Sequence, residues 1–303
     1  MAMVNRLKST SGKVVGVCVA SLALMLLSQS PCFATGFSLG DAANYAVLAQ
    51  TTPNSSVTIS NSSKISGNVG IGADRLLNID SSSYIGNAVF AGVVFEANGN
   101  TGIHGSVSYG NSQVANDLTY LTNLSQGLAS SKGNEIDFSN NQTIQAGKVY
   151  NVTPNSTSVG NLTIKGTSSD YVVLNFSTNV TFNGTITLTG GISANQVLFN
   201  ITGNNALTIA SANVEGVFLD PNGAISMTNS VLTGSLFGGD SSDLTISGST
   251  INGPSSDSVA AAASIHNPEP AAIVLVGTGL GFLGICAVVR RRKSRAPVPP
   301  QAA

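Results

Sequence analysis

The stretch Leu207 to Gly253 repeats itself, and a repeat this short leaves few folds open. Leu207-Thr-Ile209 is followed by Val214-Glu-Gly216-Val217, Ile225-Ser-Met227 by Leu232-Thr-Gly234-Ser235, and Leu244-Thr-Ile246 by Ile251-Asn-Gly253. The series Leu207→Ile225→Leu244 and Gly216→Gly234→Gly253 advance in step with each other, and the interval is nearly constant. Within each copy, apolar residues alternate with small polar ones, the period-2 pattern of a half-buried strand. A unit this small cannot bury an apolar face alone, so it must stack on its neighbours. No helical periodicity lies between the strands, which excludes helical and leucine-rich repeats. The expectation is a mainly β chain: a β-solenoid with parallel strands about 4.8 Å apart.

The same pattern returns, weaker, near the start. Ile65-Ser-Gly67-Asn-Val69, Ile85-Gly-Asn87-Ala-Val89 and Ile103-His-Gly105-Ser-Val107 follow one another at close to the same interval. Gly or Asn recurs at one point of every copy, as a backbone corner with positive φ or close approach requires. Between the two stretches the period changes. Val114, Leu118, Leu121, Leu124 and Leu128 are spaced by three and four, one face of a helix over about 111–131. Asn111 or Ser112 would cap its start and Gly133 its end. With no basic residues on it, this helix is expected along the solenoid flank rather than on a membrane. Leu39 to Leu48 reads as a helical turn leading into a strand. The runs Tyr171–Phe176 and Val197–Ile201 are too continuously apolar for exposed strands and should be central.

Charged residues make up only 9% of the chain, while Gly, Ser, Thr and Asn abound. Disorder is nevertheless excluded for most of it, because Val, Ile, Leu and Phe recur in alternation throughout. Between Thr35 and Asn267 there are five Lys/Arg against thirteen Asp/Glu, and this acidic body argues against a nucleic-acid partner.

Both ends look like addresses. Arg6, Lys8 and Lys13 precede the apolar run Val14 to Leu27, and small residues follow up to Ala34. This is the layout of a secretory signal peptide over 1–34, cut by signal peptidase after Ala34. All three cysteines (Cys18, Cys32 and Cys286) fall in the terminal segments, so the exported body of 35–253 must be held by its core and hydrogen-bond ladders rather than by disulfides. A Ser/Ala-rich spacer covers 254–267. Pro268-Glu269-Pro270 is then followed by the uncharged run 271–289 and the basic cluster Arg290-Arg291-Arg292-Lys293. As a helix, that run spans roughly 28 Å, close to a bilayer's hydrocarbon core, and the basic cluster would hold that end in the cytoplasm. This arrangement over 268–303 resembles the bacterial PEP-CTERM sorting signal. The resemblance implies recognition by an exosortase and delivery to the cell surface or exopolysaccharide matrix. The tail Ser294–Ala303, with three prolines, departs from the family pattern. An ordinary C-terminal membrane anchor is the alternative, and it too puts the body outside the cytoplasm.

The body carries a second resemblance. Leu39-Gly-Asp-Ala-Ala-Asn-Tyr-Ala-Val-Leu48, Ile65-Ser-Gly-Asn-Val-Gly70, the helix, Gly147-Lys-Val-Tyr150, Val197-Leu-Phe-Asn200 and Val214-Glu-Gly-Val-Phe-Leu-Asp-Pro-Asn222 occur in that order. Together they resemble the secreted domains that include the choice-of-anchor A surface proteins and the solenoid-type ice-binding proteins. The second group implies a discontinuous right-handed β-solenoid with one long helix alongside. Asp220 and Gly223 depart from the small-residue turn of choice-of-anchor domains.

Chemistry is sparse. Ser/His/Asp catalysis would have to use His104, the only histidine before the spacer, which reads better as a corner residue. No His or Cys set has metal-ligand spacing, and Asp74 with Asp80, or Asp240 with Asp243, lacks the density of a calcium loop. Arg75 is the only arginine of the mature body, which speaks against a polysaccharide lyase or hydrolase. No catalytic residue, cofactor or metal is therefore expected. What remains is a set of strand faces rich in Thr, Ser and Asn. Two functions fit them: a structural or adhesive protein meeting exopolysaccharide, or an ice binder whose Thr methyls and hydroxyls order water. Thr208, Ser226 and Thr245 share one repeat position and are the candidate outward residues; simple solvation of an outward face is the bland alternative.

Overall fold

The computed structural model describes residues 36–49, 56–72, 76–91, 93–96, 102–109, 112–138, 140–238 and 243–254. They form a solenoid with three parallel faces. The widest face runs in the order Asn134–Ile136, Lys148–Val152, Val172–Phe176, Val197–Ile201, Asn213–Asp220, Val231–Gly238, Tyr45–Ala49, Asn68–Ile71, Val89–Ala91, Val107–Tyr109. The second face has eight strands: Ser158–Val159, Val180–Phe182, Leu207–Ala210, Ile225–Thr228, Leu244–Ser247, Ser56–Ser60, Leu76–Ile79 and Val93–Glu96. The third begins with Gln142–Gln145, Leu162–Lys165 and Ile186–Thr189. It continues through the first halves of Asn213–Asp220 and Val231–Gly238 to Thr250–Asn252, Lys64–Ser66 and Tyr84–Ile85.

The order of strands is not the order of the chain. The first strand, Tyr45–Ala49, lies in the middle of the stack and pairs with the late strand Val231–Gly238, Val47 opposite Leu236. The chain builds outward from there to Val107–Tyr109, returns through the helix, and builds inward from Asn134 until the last coil meets the first. The solenoid is therefore discontinuous, and its two stretches are one stack.

Helix α1, Ser112–Ala129, spans the join. Its Val114, Leu118 and Leu121 are buried against Leu48, Val173, Leu198, Val217, Leu219 and Phe237, on the outer side of the widest face. That cover explains the continuously apolar strands: Val172–Phe176 and Val197–Ile201 are buried at every position, inward on the core and outward under the helix. Each fully buried Leu, Val or Phe here contributes about 1.5–3 kcal/mol of transfer free energy. The short turn before the first strand is a 3₁₀ helix, Gly40–Asn44. Gly133 is not the cap expected of it, because α1 ends at Ala129, well before it. There the Ser130 and Ser131 hydroxyls donate to the Gly127 carbonyl at 2.8 and 3.3 Å.

Inside, the alternation holds strand by strand, with apolar residues in and small polar residues out. Phe176, Phe182, Phe199 and Phe218 pack ring against ring through the core, Phe199 and Phe218 with centroids 4.6 Å apart. The corners are built from two repeated devices. Gly216 and Gly234 adopt φ of 145° and 135°, and a Cβ on Gly234 would lie 2.0 Å from the Gly216 carbonyl oxygen. No side chain fits there. At a second corner, buried serines stack from coil to coil. The backbone N–H of Ala212 donates to the Ser230 hydroxyl, that of Ser230 to Ser249, that of Ser249 to Ser63, and that of Ser63 to Ser83, at 3.0–3.2 Å. Each hydroxyl thus satisfies an amide that the turn removes from the strand ladder.

Candidate binding face

The second face is where the repeat presents itself to solvent. Leu207, Ile225, Leu244, Val57 and Leu77 form one buried row and Ile209, Met227, Ile246, Ile59 and Ile79 another. Alternation along a strand puts the residues between and after them outside. The first outward row is Ser158, Thr181, Thr208, Ser226, Thr245, Thr58 and Asn78, each directly opposite the next. The second is Ala210, Thr228, Ser247 and Ser60. Parallel pairing sets neighbours within a row about 4.8 Å apart, and the two rows lie about 6.6 Å apart along the strands. The result is a two-row grid with no bulge from Val180–Phe182 through to Ser56–Ser60, its hydroxyls running from Thr181 to Thr58 in the first row and from Thr228 to Ser60 in the second.

Thr208, Ser226 and Thr245 therefore stand side by side in one row. The sequence reading missed Thr58, although Thr58-Ile59-Ser60 repeats Thr245-Ile246-Ser247 letter for letter. It also missed Thr181, Thr228 and Ser247. The signal for the last two was the position two residues after each candidate. Among these side chains, Ser247 accepts a hydrogen bond from Asn61 Nδ2 at 2.6 Å, so the edge of the grid is held by the neighbouring corner.

The acidic residues that flank this face have structural partners. Asp243 Oδ1 accepts from the Ser56 backbone N–H at 2.7 Å and so closes the junction between the last coil and the first. Asp80 accepts from the Asn61 N–H at 2.7 Å and from the Ser82 N–H and hydroxyl. Burial opposes the ionised form of Asp80, but these bonds and one from Ser83 outweigh it and hold the carboxyl below its usual range. Neither is paired with a second carboxylate in the described residues; Asp74 and Asp240 lie outside them. Among the described residues there is no group of three or more His, Cys, Asp or Glu able to hold a metal. His104 is exposed and packs its ring on Tyr84, 4.5 Å between centroids.

Among the described residues two carboxylates are buried. Asp117 on α1 receives a bond from Gln113 Nε2 at 2.7 Å, and burial, with Asp41 nearby, pushes its carboxyl up despite that bond. Asp220 has no solvent exposure, and burial pushes it up to about 7 against backbone bonds from Gly223, Asn222 and Leu207. Both have one oxygen without a partner. Asp220 lies at the turn between the widest face and the hydroxyl grid, inside the protein, and forms no part of the outer surface.

The terminal features lie outside the described residues: Ala34, the Pro268-Glu269-Pro270 motif, the run 271–289 and the cluster Arg290–Lys293. Among the described residues no helix is long and apolar enough to cross a membrane.

A sequence model of ice-binding-like adhesive domains matches residues 29–254. No curated protein matches the chain. Among solved structures, the fold is similar to an ice-binding protein (LeIBP) from an Arctic yeast, with TM-score 0.54 and 19% identity, over 73% of this chain and 95% of that one. It is similar also to an ice-binding protein from the Antarctic ascomycete Antarctomyces psychrotrophicus, with TM-score 0.53 and 19% identity, over 73% and 100%. A third is an ice-binding protein from an Antarctic bacterium of the Flavobacteriaceae, with TM-score 0.55 and 15% identity, over 74% and 51%.

Proposed function

The chain belongs to the family of ice-binding-like adhesive domains, and from that premise we propose that it binds ice through the hydroxyl grid of its eight-stranded face. The observation that carries this reading is the unbroken register Thr181–Thr208–Ser226–Thr245–Thr58. It crosses the join between the two stretches of chain without a slip, so two remote segments present one lattice. Binding to a crystal surface needs many weak contacts in a fixed array rather than one strong one. Short side chains on a rigid ladder lose little freedom on binding, and the β-branched threonines are already restricted at χ1. The methyl groups lie beside the hydroxyls, so the face can order water against apolar surface and hydrogen-bond it at the same spacing. This role is non-catalytic.

Thermal hysteresis and partition into growing ice test it, with the domain of residues 35–254. Hysteresis that collapses in the double substitution Thr208→Tyr and Thr245→Tyr, with melting unchanged, supports the reading. A native domain that neither shapes ice crystals nor enters them rejects it.

Export belongs to the same proposal. The pattern at 1–34 would be cut by signal peptidase, and that at 268–303 would pass to an exosortase, or hold the chain in the membrane, leaving the domain at the surface. Mass spectrometry of the mature termini checks both cuts. A second reading, adhesion to exopolysaccharide, is favoured by that surface-sorting pattern. Loss of biofilm on deletion of the gene is its signature.

A further inference from the structure

The core rows of the widest face end differently at the two ends of the stack. Val47, Val69 and Val89 stand opposite one another, all buried, and their row ends at Val107. Ala49, Ile71 and Ala91 make the buried row beside it, which ends at Tyr109. These last two residues hold core positions, yet Val107 is 37% exposed and Tyr109 63%. At the other end the row through Tyr150 finishes on exposed Asn134, and the row through Val152 on half-buried Ile136. Phe138 follows there, its ring stacked on that of Phe176, and the exposed Glu135 and Asp137 flank it. That end is closed by its own chain and its charges.

A solenoid that stays single needs terminal coils with a polar outer face, and Val107–Tyr109 has none. It is also an edge strand: among the described residues no strand pairs with its outer side. The Ser106 carbonyl accepts from the Val89 N–H at 2.8 Å. Backbone groups of alternate residues point to opposite sides, so Val107 and Tyr109 turn their own N–H and C=O away from the stack. One coil thus offers both an unfinished core and an unfinished ladder, the combination that native edges avoid unless something covers them.

We propose that a second copy of this chain covers it, the two stacks meeting end to end about a two-fold axis through Ser108. The strand is complementary to itself. Paired antiparallel with its own copy, it sets Val107 opposite the partner's Tyr109 and Ser108 opposite the partner's Ser108. A β-branched residue facing an aromatic is a favourable cross-strand pair, and the strand carries no charge to repel its copy. The outward groups of Val107 and Tyr109 are then the ones that exchange both hydrogen bonds, and both core rows run on into the partner. The closed end fails the same operation, because it would set Glu135 directly against the partner's Glu135. Stacking the open end on the closed end would propagate into a fibre, whereas the two-fold pairing closes at two copies. The hydroxyl grid lies on another face and stays uncovered, so the pair carries two grids.

The test is sedimentation equilibrium of residues 35–254, within which both core clusters and α1 lie entire. A reversible monomer–dimer equilibrium is expected in the micromolar range. Tyr109→Lys should weaken the dimer by about thirtyfold or more, as loss of a central interface aromatic does, and Glu135→Lys should leave it unchanged. Ser108→Cys gives a direct readout, since this stretch holds no other cysteine. Residues facing each other in a non-hydrogen-bonded antiparallel pair are close enough for a disulfide. Mild oxidation should therefore join Ser108→Cys into a covalent dimer and leave Glu135→Cys single. Melting of dilute, monomeric Tyr109→Lys should match the parent, because that side chain is exposed within one copy. A parent that stays monomeric throughout while Ser108→Cys fails to cross-link overturns the proposal. So does growth beyond two copies, or Tyr109→Lys dimerising like the parent.

Discussion

Asn200 donates from Nδ2 to Asn175 Oδ1 at 2.8 Å, beneath the last turns of α1. Asn200 also exchanges bonds with Ser125, accepting its hydroxyl at 2.6 Å and donating to its carbonyl at 3.1 Å. Asn175 donates to the Leu128 carbonyl and on to Asn151. This ladder of amides gives α1 a polar register on an otherwise apolar seam. Leucines alone would let the helix slide by a turn, whereas bonded amides accept one position only.

Removing Asn200 therefore costs more than one bond. Asn200→Ala leaves buried groups on Ser125 and Asn175 unpaired, and we expect a loss of about 2–3 kcal/mol in denaturant unfolding. Hydrogen exchange should rise first in α1. A loss no larger than that of an ordinary surface substitution, below about 0.5 kcal/mol, would mean that the helix docks through its leucines alone.

The glycine corners allow no side chain. Gly234→Ala puts a methyl against the Gly216 carbonyl in a backbone region that L residues rarely adopt, and the expected cost is about 3 kcal/mol or more. Gly127→Ala is the control, because nothing lies within 4 Å of that position. It should stabilise α1 by up to about 1 kcal/mol, the difference in helix propensity. Thermal melts of the two variants should move in opposite directions.

Ser249→Val tests the buried serine stack. The Ser230 amide loses its acceptor, and a buried amide left unsatisfied costs about 1–3 kcal/mol. Ser249→Thr keeps the hydroxyl and should recover part of that loss, as read from the unfolding midpoint.

Asp220 makes stability depend on pH. Its carboxyl is raised to about 7 in the folded protein and is ordinary when unfolded, so between these values the folded state holds the extra proton. Stability is then fully present below about pH 4 and falls as pH rises through about 7, by at most about 4 kcal/mol. Asp220→Asn should flatten that slope in melts from pH 4 to 8. A parent whose melting temperature rises over that interval would contradict the burial of this carboxylate. Asp80, Asp137 and Asp170 act in the opposite sense, because their carboxyls are held low. Their contribution disappears only in stronger acid, which leaves a stability maximum in mildly acidic solution.

How much of this was legible beforehand varies with distance along the chain. The repeat spacing, the inward apolar rows, the corner glycines and the helix face are local patterns, each readable within a coil or two of sequence. So was the shared position of Thr208, Ser226 and Thr245, because a period-2 strand leaves only two sides. The resemblance to known solenoids added the discontinuity, but not the pairs that make it.

Those pairs belong to the tertiary structure alone. Thr58 meets Thr245 and Val47 meets Leu236, each pair joining opposite ends of the described body. Nearly equivalent coils offer nearly equivalent edges, so no local signal says which coil stacks on which. The choice is made by the helix that spans the join, by the Asp243 bond to Ser56, and by burial of every edge strand that would otherwise remain open in the middle of the stack. The sequence by itself determined the coil and its inside and outside. The tertiary structure decided the order of the coils, and with it that hydroxyls from both ends of the chain form one continuous grid.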